Sequence, residues 1–374
     1  MIDRRLIYNF DWGMFIAALL LALIGVSTIY SATRPVFDAE QQSFYIRQLY
    51  WIGLSVIFFL AVISVDYRQI VRYSFLIYGA GIILLILVIF IGRKGMGAQR
   101  WIPLGFLSFQ PSEFFKLFFI LAMSRYLAAM GENLDLGMLK ISKIAAVFFV
   151  VPAILIATQP DLGTALILLF IFISMLFIAG IRRRLLVIAV IIGIISLPFV
   201  GNVFWGGLKG YQKNRIVAFM DPKVDPQGVG YHIKQSKVTI GSGGFTGKGY
   251  MKGTQGPLRF LPEKHTDFIF AIFAEEWGFV GSLILFLFYL FIILRGFDTA
   301  KKARDLEGAY LAAGITFMFT FYFIINAGMT MGMTPVVGAP LPLMSYGGTA
   351  LLSNFLSLAL IENVRMRRLP NPFN

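Results

Sequence analysis

Residues 308–361 read GAYLAAGITFMFTFYFIINAGMTMGMTPVVGAPLPLMSYGGTALLSNFLSLALI and contain no charged side chain. A helical crossing of the hydrocarbon core takes about twenty residues, so this run holds two crossings. Its middle, TPVVGAPLP at 334–342, is rich in proline and reads as irregular backbone between two helices. Outward from there, the charge-free runs Trp12–Thr33, Gln48–Val65, Tyr73–Gly92, Ile144–Pro160, Leu162–Ile181 and Leu185–Leu208 each predict a span. Two more carry charges: Pro111–Met130, with Glu113, Lys116 and Arg125, and Asp267–Leu294, with Glu275 and Glu276. The expected fold is an all-α polytopic membrane protein of ten transmembrane helices, forming a single integral-membrane domain over residues 1–374.

The composition agrees. Of 374 residues 58% are apolar and 14% charged, and the mean hydropathy is +0.77, which leaves no room for a sizeable soluble domain. No cleavable leader is expected, because the apolar run after Arg4 and Arg5 is too long and lacks a small-residue cleavage pattern. With no cysteine and two histidines, disulfides, thiol nucleophiles and Cys-ligated metals are excluded. Chemistry must come from carboxylates, Lys, Arg and hydroxyls. A net charge of +14 spread over so hydrophobic a chain points to anionic or phosphorylated lipid rather than to nucleic acid.

Lys and Arg of the short connections, among them Arg68, Arg72, Arg182, Lys301 and Arg365, gather on the side of the termini, so both termini are expected in the cytoplasm. The connection between spans seven and eight, residues 209–266, is then one long extracytoplasmic loop. It is basic, with Lys213, Arg215 and Lys264 among its cations, and it contains the turn GSGGFTGKG at 241–249. Its amphipathic piece Tyr231–Val238 is expected to lie on the membrane surface, and the whole reads as a basic lid.

Ionisable groups inside spans are costly and mark function. Asp267, after Thr266 as N-cap, is expected in the first turn of span eight, above the small residues Ala271 and Ala274. Glu275 and Glu276 fall roughly 12–13 Å deeper and are expected to pair within the bundle. Glu113 and Lys116 are three apart on a helix begun by Pro111 and are placed to pair. Asp161, in TQPDLGT at 158–164, caps span six. Trp101, with Arg100 beside it and Gln110 after it, is a candidate sugar or pyrophosphate contact. Each has a purely structural alternative: a first-turn acid, an N-cap, an interfacial tryptophan. Convergence of Glu113, Lys116, Asp161 and Asp267 at one membrane level favours a site for a lipid-linked anionic substrate. The reaction itself does not follow from these residues.

Several stretches together resemble the SEDS family of bacterial cell-wall proteins, over essentially the whole chain. The most specific runs from Asn326 to Ala350, and GAQRWI at 97–102, QPSE at 110–113, QPDLGT at 159–164 and HTDFIFA at 265–271 are similar to the family's other motifs. Residues 221–232 and 253–265 are similar to its elongation branch rather than its division branch. The resemblance implies a peptidoglycan glycosyltransferase that polymerises lipid II by inverting transfer and releases undecaprenyl pyrophosphate. Its implied partners are a class B penicillin-binding protein and other elongation-complex membrane proteins. It places an essential aspartate at Asp267 and an important tryptophan at Trp101, suggests roles for Glu113, Lys116 and Asp161, and assigns Ser345 to the substrate site. On this reading Asp267 takes the proton of the acceptor hydroxyl, while Lys116, Arg100, Lys213, Arg215 and Lys264 hold pyrophosphate. A divalent cation, Mg or Mn, between phosphate and carboxylate is the one cofactor expected, and no organic cofactor is. Two rivals differ in class. A lipid II flippase would need broken helices and charges at mid-span, and a non-catalytic scaffold for the penicillin-binding protein would leave the outer cluster dispensable.

Overall fold

With no water in a bilayer core to bond the backbone, apolar runs of this length pair their N–H and C=O groups internally as helices. The computed structural model describes residues 8–33, 43–95, 98–104, 107–131, 138–181, 213, 229–254 and 265–368. Its long helices are α1 (Trp12–Thr33), α2 (Phe44–Ser64), α4 (Ser74–Ile91), α5 (Pro111–Ala129), α8 (Leu162–Ile178), α10 (Ile269–Lys301), α11 (Leu306–Thr330) and α12 (Gly348–Met366). The short helix α3 (Tyr67–Arg72) links α2 to α4. Helices α6 (Met138–Ile144) and α7 (Val151–Thr158) run on through a π turn at Ala145–Val150. Pro152, just past that turn, has no N–H to donate, and its ring would clash with the Phe148 carbonyl in a regular α-helix, which suits a widened turn. Six helices among the described residues are long and apolar enough to cross a membrane. The chain is a polytopic membrane protein. The predicted span 185–208, Arg182, and most of 209–266, including Arg215 and Lys264, lie outside the described residues.

The sequence expectation needs three corrections. First, the connection between α4 and α5 is a three-stranded antiparallel sheet of β1 (Arg93–Gly95), β2 (Ala98–Leu104) and β3 (Leu107–Phe109). Trp101 stands opposite Arg93 and Ile102 opposite Phe109; the run is too short to span, and its Pro103 and flanking glycines disfavour helix. Second, α10 is two helices meeting at Gly278, whose φ is 66° and ψ −161°. Third, the amphipathic piece is part of α9 (Val229–Ser242) and packs inward rather than lying on a surface. Its Ile233 and Ile240 join Phe268, Ile272 and Met329 in an apolar cluster, and Ser236 Oγ donates to the Thr330 carbonyl at 2.7 Å.

The proline-rich stretch after α11 enters the bundle. A Cβ on Gly25, halfway along α1, would overlap the Met344 carbonyl, and one on Gly163 would overlap that of Val337. Glycine therefore lets α1 and α8 close on this irregular backbone. Its polar groups are paired by side chains from several helices. Tyr289 Oη donates to the Pro342 carbonyl at 2.6 Å, Asn326 Nδ2 to Ala339 at 2.7 Å, and Gln48 Nε2 to Ser345 at 3.1 Å.

At the opposite end, which carries the termini, Asp305 caps α11 by accepting from the Gly308 N–H at 2.8 Å. It also accepts from Tyr67 Oη at 2.7 Å and Arg68 Nε at 2.8 Å. Burial pushes the Asp305 carboxyl up, but these donors and the Arg68 charge together hold it below the usual carboxylate range. Its contribution is then present above the ordinary carboxylate range and lost as pH falls through the depressed value. Asp305→Ala is expected to cost about 1–2 kcal/mol, read as a lower unfolding temperature in detergent at pH 7. The wild-type and variant curves should start to converge as pH falls below the ordinary carboxylate value and meet only below the depressed one.

Candidate active site

Helix starts at the loop end of the bundle bring the polar groups together. Proline suits the first helical position, so Pro111 begins α5, and Glu113 and Lys116 follow one turn apart. Both side chains are buried, and Lys116 Nζ meets Glu113 Oε2 at 2.8 Å and also bonds Tyr322 Oη from α11. A buried lysine in a membrane bundle needs such partners.

Asp161 caps α8, as predicted. Its carboxylate accepts from the Thr164 N–H at 3.3 Å and Thr164 Oγ1 at 2.9 Å. Ser112 Oγ lies 3.4 Å away, Gln110 Nε2 3.5 Å and Arg100 Nη1 3.6 Å. Arg100 Nε donates to the Gln159 carbonyl at 3.2 Å, and its Nη2 bonds that of Pro160. Strand side chains alternate in direction. Arg100 and Ile102 on β2 therefore turn toward the bundle, and Trp101, between them, turns the other way. Ser112, beside Glu113 at the start of α5, reaches the Asp161 carboxylate and so links the Asp161 and Lys116 networks.

Asp267 is half-buried in the turn just before α10, one residue ahead of the cap position Phe268, rather than in the helix's first turn. The two residues around it are pinned through their backbone. Asn326 Nδ2 donates to the Asp267 carbonyl at 3.0 Å, and Ser345 Oγ donates to the Thr266 carbonyl at 2.7 Å while accepting from the Leu341 N–H at 2.8 Å. The Tyr346 N–H bonds the His265 carbonyl at 2.9 Å. Ser345 thus stands behind Asp267 as a support. The irregular segment joins the halves of the site: Ala339 shares Asn326 with Asp267, and Val337 presses on Gly163, two residues from Asp161.

The structure brings Arg100, Gln110 and Asp161 into one knot, Glu113 and Lys116 into a second, and Asp267 and Ser345 into a third. Lys213 is half-buried; Arg215 and Lys264 lie outside the described residues. Glu275 and Glu276 do pair, as expected, but at the loop end: Glu275 with Lys248 at 2.6 Å and Glu276 with Ser31, near the end of α1. Sequence reading gave no role to Asn326, Tyr322 or Gln48. Asn326 and Gln48 had a signal, as polar side chains within apolar runs; Tyr322, one of many aromatics, had none. Among the described residues no three His, Asp or Glu gather to hold a metal ion.

Against known proteins, the FTSW_RODA_SPOVE family, described as cell cycle protein, matches residues 11–369. The peptidoglycan glycosyltransferase MrdB of Escherichia coli K12 is 38% identical over 361 residues, spanning 96% of this chain and 94% of its own. The peptidoglycan glycosyltransferase RodA of Treponema pallidum is 34% identical, over 98% of this chain and 99% of its own. A chain of a peptidoglycan synthase complex, solved for the structural coordination of polymerization and crosslinking, superposes with a TM-score of 0.81 at 29% identity, over 97% of this chain and 99% of that one. The rod shape determining protein RodA of Thermus thermophilus does so at 0.71 and 28%, over 97% and 98%. Matches of this extent take in every helix and each of the three knots, and the chain belongs to the FtsW/RodA/SpoVE family of cell cycle proteins, the SEDS family.

Proposed function

We propose that the loop-end cluster is the transfer site of a lipid II polymerase and that Asp267 is its general base. Peptidoglycan glycosyltransferase is the activity its MrdB and RodA relatives carry in their names, and the chain polymerises lipid II into glycan strands for elongation of the lateral wall. The observation that carries the site is the double clamp on residues 266–267 by Ser345 and Asn326. It fixes the backbone of Asp267, a residue that stays half-buried rather than sealed in the core.

In the reaction the 4-hydroxyl of the acceptor GlcNAc attacks the anomeric carbon of a lipid-linked MurNAc. The new C–O bond forms as the bond to the pyrophosphate oxygen breaks, with inversion and no covalent sugar intermediate. Asp267 accepts the hydroxyl proton, and undecaprenyl pyrophosphate leaves. The helix dipole favours the charged carboxylate, whereas a base needs proton affinity. Desolvation by bound substrate supplies it. Lys116 and Arg100 are engaged by Glu113, Asp161 and main-chain carbonyls, so their first task is to hold α5, the sheet and the α7–α8 reversal in register. Trp101 on the other face of β2 is the sugar platform. Pyrophosphate falls to the loop cations Lys213, Arg215 and Lys264, together with the exposed edge of Arg100. If a divalent cation is used, the Asp267 carboxylate would hold it together with substrate phosphate, as Mg²⁺ is commonly held by one or two carboxylates plus phosphate, and it would offset leaving-group charge.

The same reading has ten spans, both termini in the cytoplasm, the site on the extracytoplasmic side, and a class B penicillin-binding protein with other elongation-complex proteins as partners. The likeness to a chain of a synthase complex for polymerization and crosslinking supports the partner. A flippase route is disfavoured by where the deeper charges sit. Arg125 bonds the Arg72 carbonyl and lies 4.8 Å over the Phe75 ring, at the terminal end, while Glu275 and Glu276 serve the loop end.

With labelled lipid II and the partner transpeptidase supplied, Asp267→Asn and Asp267→Ala are expected to lower polymer formation about a hundredfold or more. Wild-type rates in both would remove Asp267 from the chemistry. Lys116→Met and Glu113→Gln singly are expected to destabilise by about 3–5 kcal/mol, because each leaves a buried polar partner behind. The double variant should regain most of the unfolding temperature, and its polymerisation rate should recover with it if the pair is a support.

A further inference from the structure

The turn after α9 is spliced into the hydrogen-bond ladder of α10. In an unbroken helix the N–H groups of Phe279 and Val280 would bond the carbonyls of Glu275 and Glu276. The break at Gly278 separates them, and the turn takes up all four groups. Phe279 donates to the Gly244 carbonyl at 2.9 Å and Val280 to that of Phe245 at 3.1 Å, while the Glu275 and Glu276 carbonyls accept from Lys248 at 3.0 Å and Gly249 at 2.9 Å. The fit is steric as well. A Cβ on Gly278 would overlap the Gly247 nitrogen, and a Cβ on Gly247 would overlap the Glu276 carbonyl. Gly241, by contrast, has open space around it.

The Glu275 side chain closes the splice. Fully buried, its Oε1 accepts from Lys248 Nζ at 2.6 Å, the Thr254 N–H at 2.9 Å and Thr254 Oγ1 at 3.0 Å. Upstream, Ile233 and Ile240 of α9 pack with Phe268 and Ile272. Residues 229–254 therefore grip the first part of α10 at both ends, with Asp267 just ahead of one end and the splice at the other.

We propose that Glu275 is a positioning residue for the transfer reaction: by locking the 243–254 turn into the break in α10 it holds the short helix that aims Asp267. This rests on reading Asp267 as the base. The direct interactions of Glu275 are with the turn, so substrate binding should be spared while turnover suffers.

The test compares Glu275→Ala, Glu275→Gln, Gly247→Ala and the control Gly241→Ala in the full-length protein with its partner, measuring kcat and KM for lipid II and amide hydrogen exchange. Glu275→Ala and Gly247→Ala are expected to speed exchange across 275–280 and to lower kcat tenfold or more, with KM within threefold of wild type. Glu275→Gln, which keeps an acceptor for Thr254, should recover at least half the rate, and Gly241→Ala should match wild type. The proposal is overturned by unchanged exchange in both disrupting variants, by a wild-type kcat once exchange has risen, by a loss carried in KM, or by Glu275→Gln failing like Glu275→Ala. Asp267→Ala run alongside separates the two readings: full activity there sinks the base assignment, whereas an inactive Asp267→Ala beside an active Glu275→Ala sinks the splice alone.

Discussion

Within a bilayer each backbone N–H and C=O must find a partner inside the protein, and this requirement shapes everything around residues 331–347. The prolines at 335, 340 and 342 cannot continue a helix, yet the segment reaches Gly25 in the middle of α1. Its carbonyls are met by Tyr289, Asn326 and Gln48, from three helices. Because those helices must stand where their side chains can reach, the irregular segment organises the bundle around itself. The groups that satisfy it, Asn326 and Ser345, are also those that hold Asp267. Structural satisfaction and positioning of Asp267 are one arrangement.

Charge follows the same logic. A lone ion in this interior would be expensive, so Lys116 is matched by Glu113 and Tyr322, and Arg100 by Asp161 and two carbonyls. These pairs tie α5, α8, α11 and the β-sheet to a common level. The cost of disturbing them sets these helix charges to structural work, which is why the proposed contacts to an anionic substrate fall to the basic connection.

The break in α10 is the counterpart of the proline segment. There the helix gives up two ladder bonds and a turn of the long connection restores all four groups, so the connection becomes part of the helix that follows Asp267. The described turn of the long connection and the helix that follows Asp267 are thus mechanically continuous.

Much of this was legible in the residues. Nine of the ten predicted spans correspond to helices among the described residues, and Trp12–Thr33 agrees at both ends, because span length and absence of charge are properties of a local stretch. The Glu113–Lys116 pair and the Asp161 cap were legible for the same reason, being set by spacing along one helix. The sheet that turns Arg100 inward and Trp101 away was not, since three short strands have no signal until they pair. Nor was the break at Gly278, where a helical run is interrupted only because a turn some thirty residues earlier can replace its bonds. The sequence by itself determined which segments enter the membrane and which acids and bases gather at one end, through hydrophobicity and local periodicity. Tertiary structure alone decided which of those charges neutralise one another and what holds Asp267 in place, because both depend on contacts between residues distant in the chain.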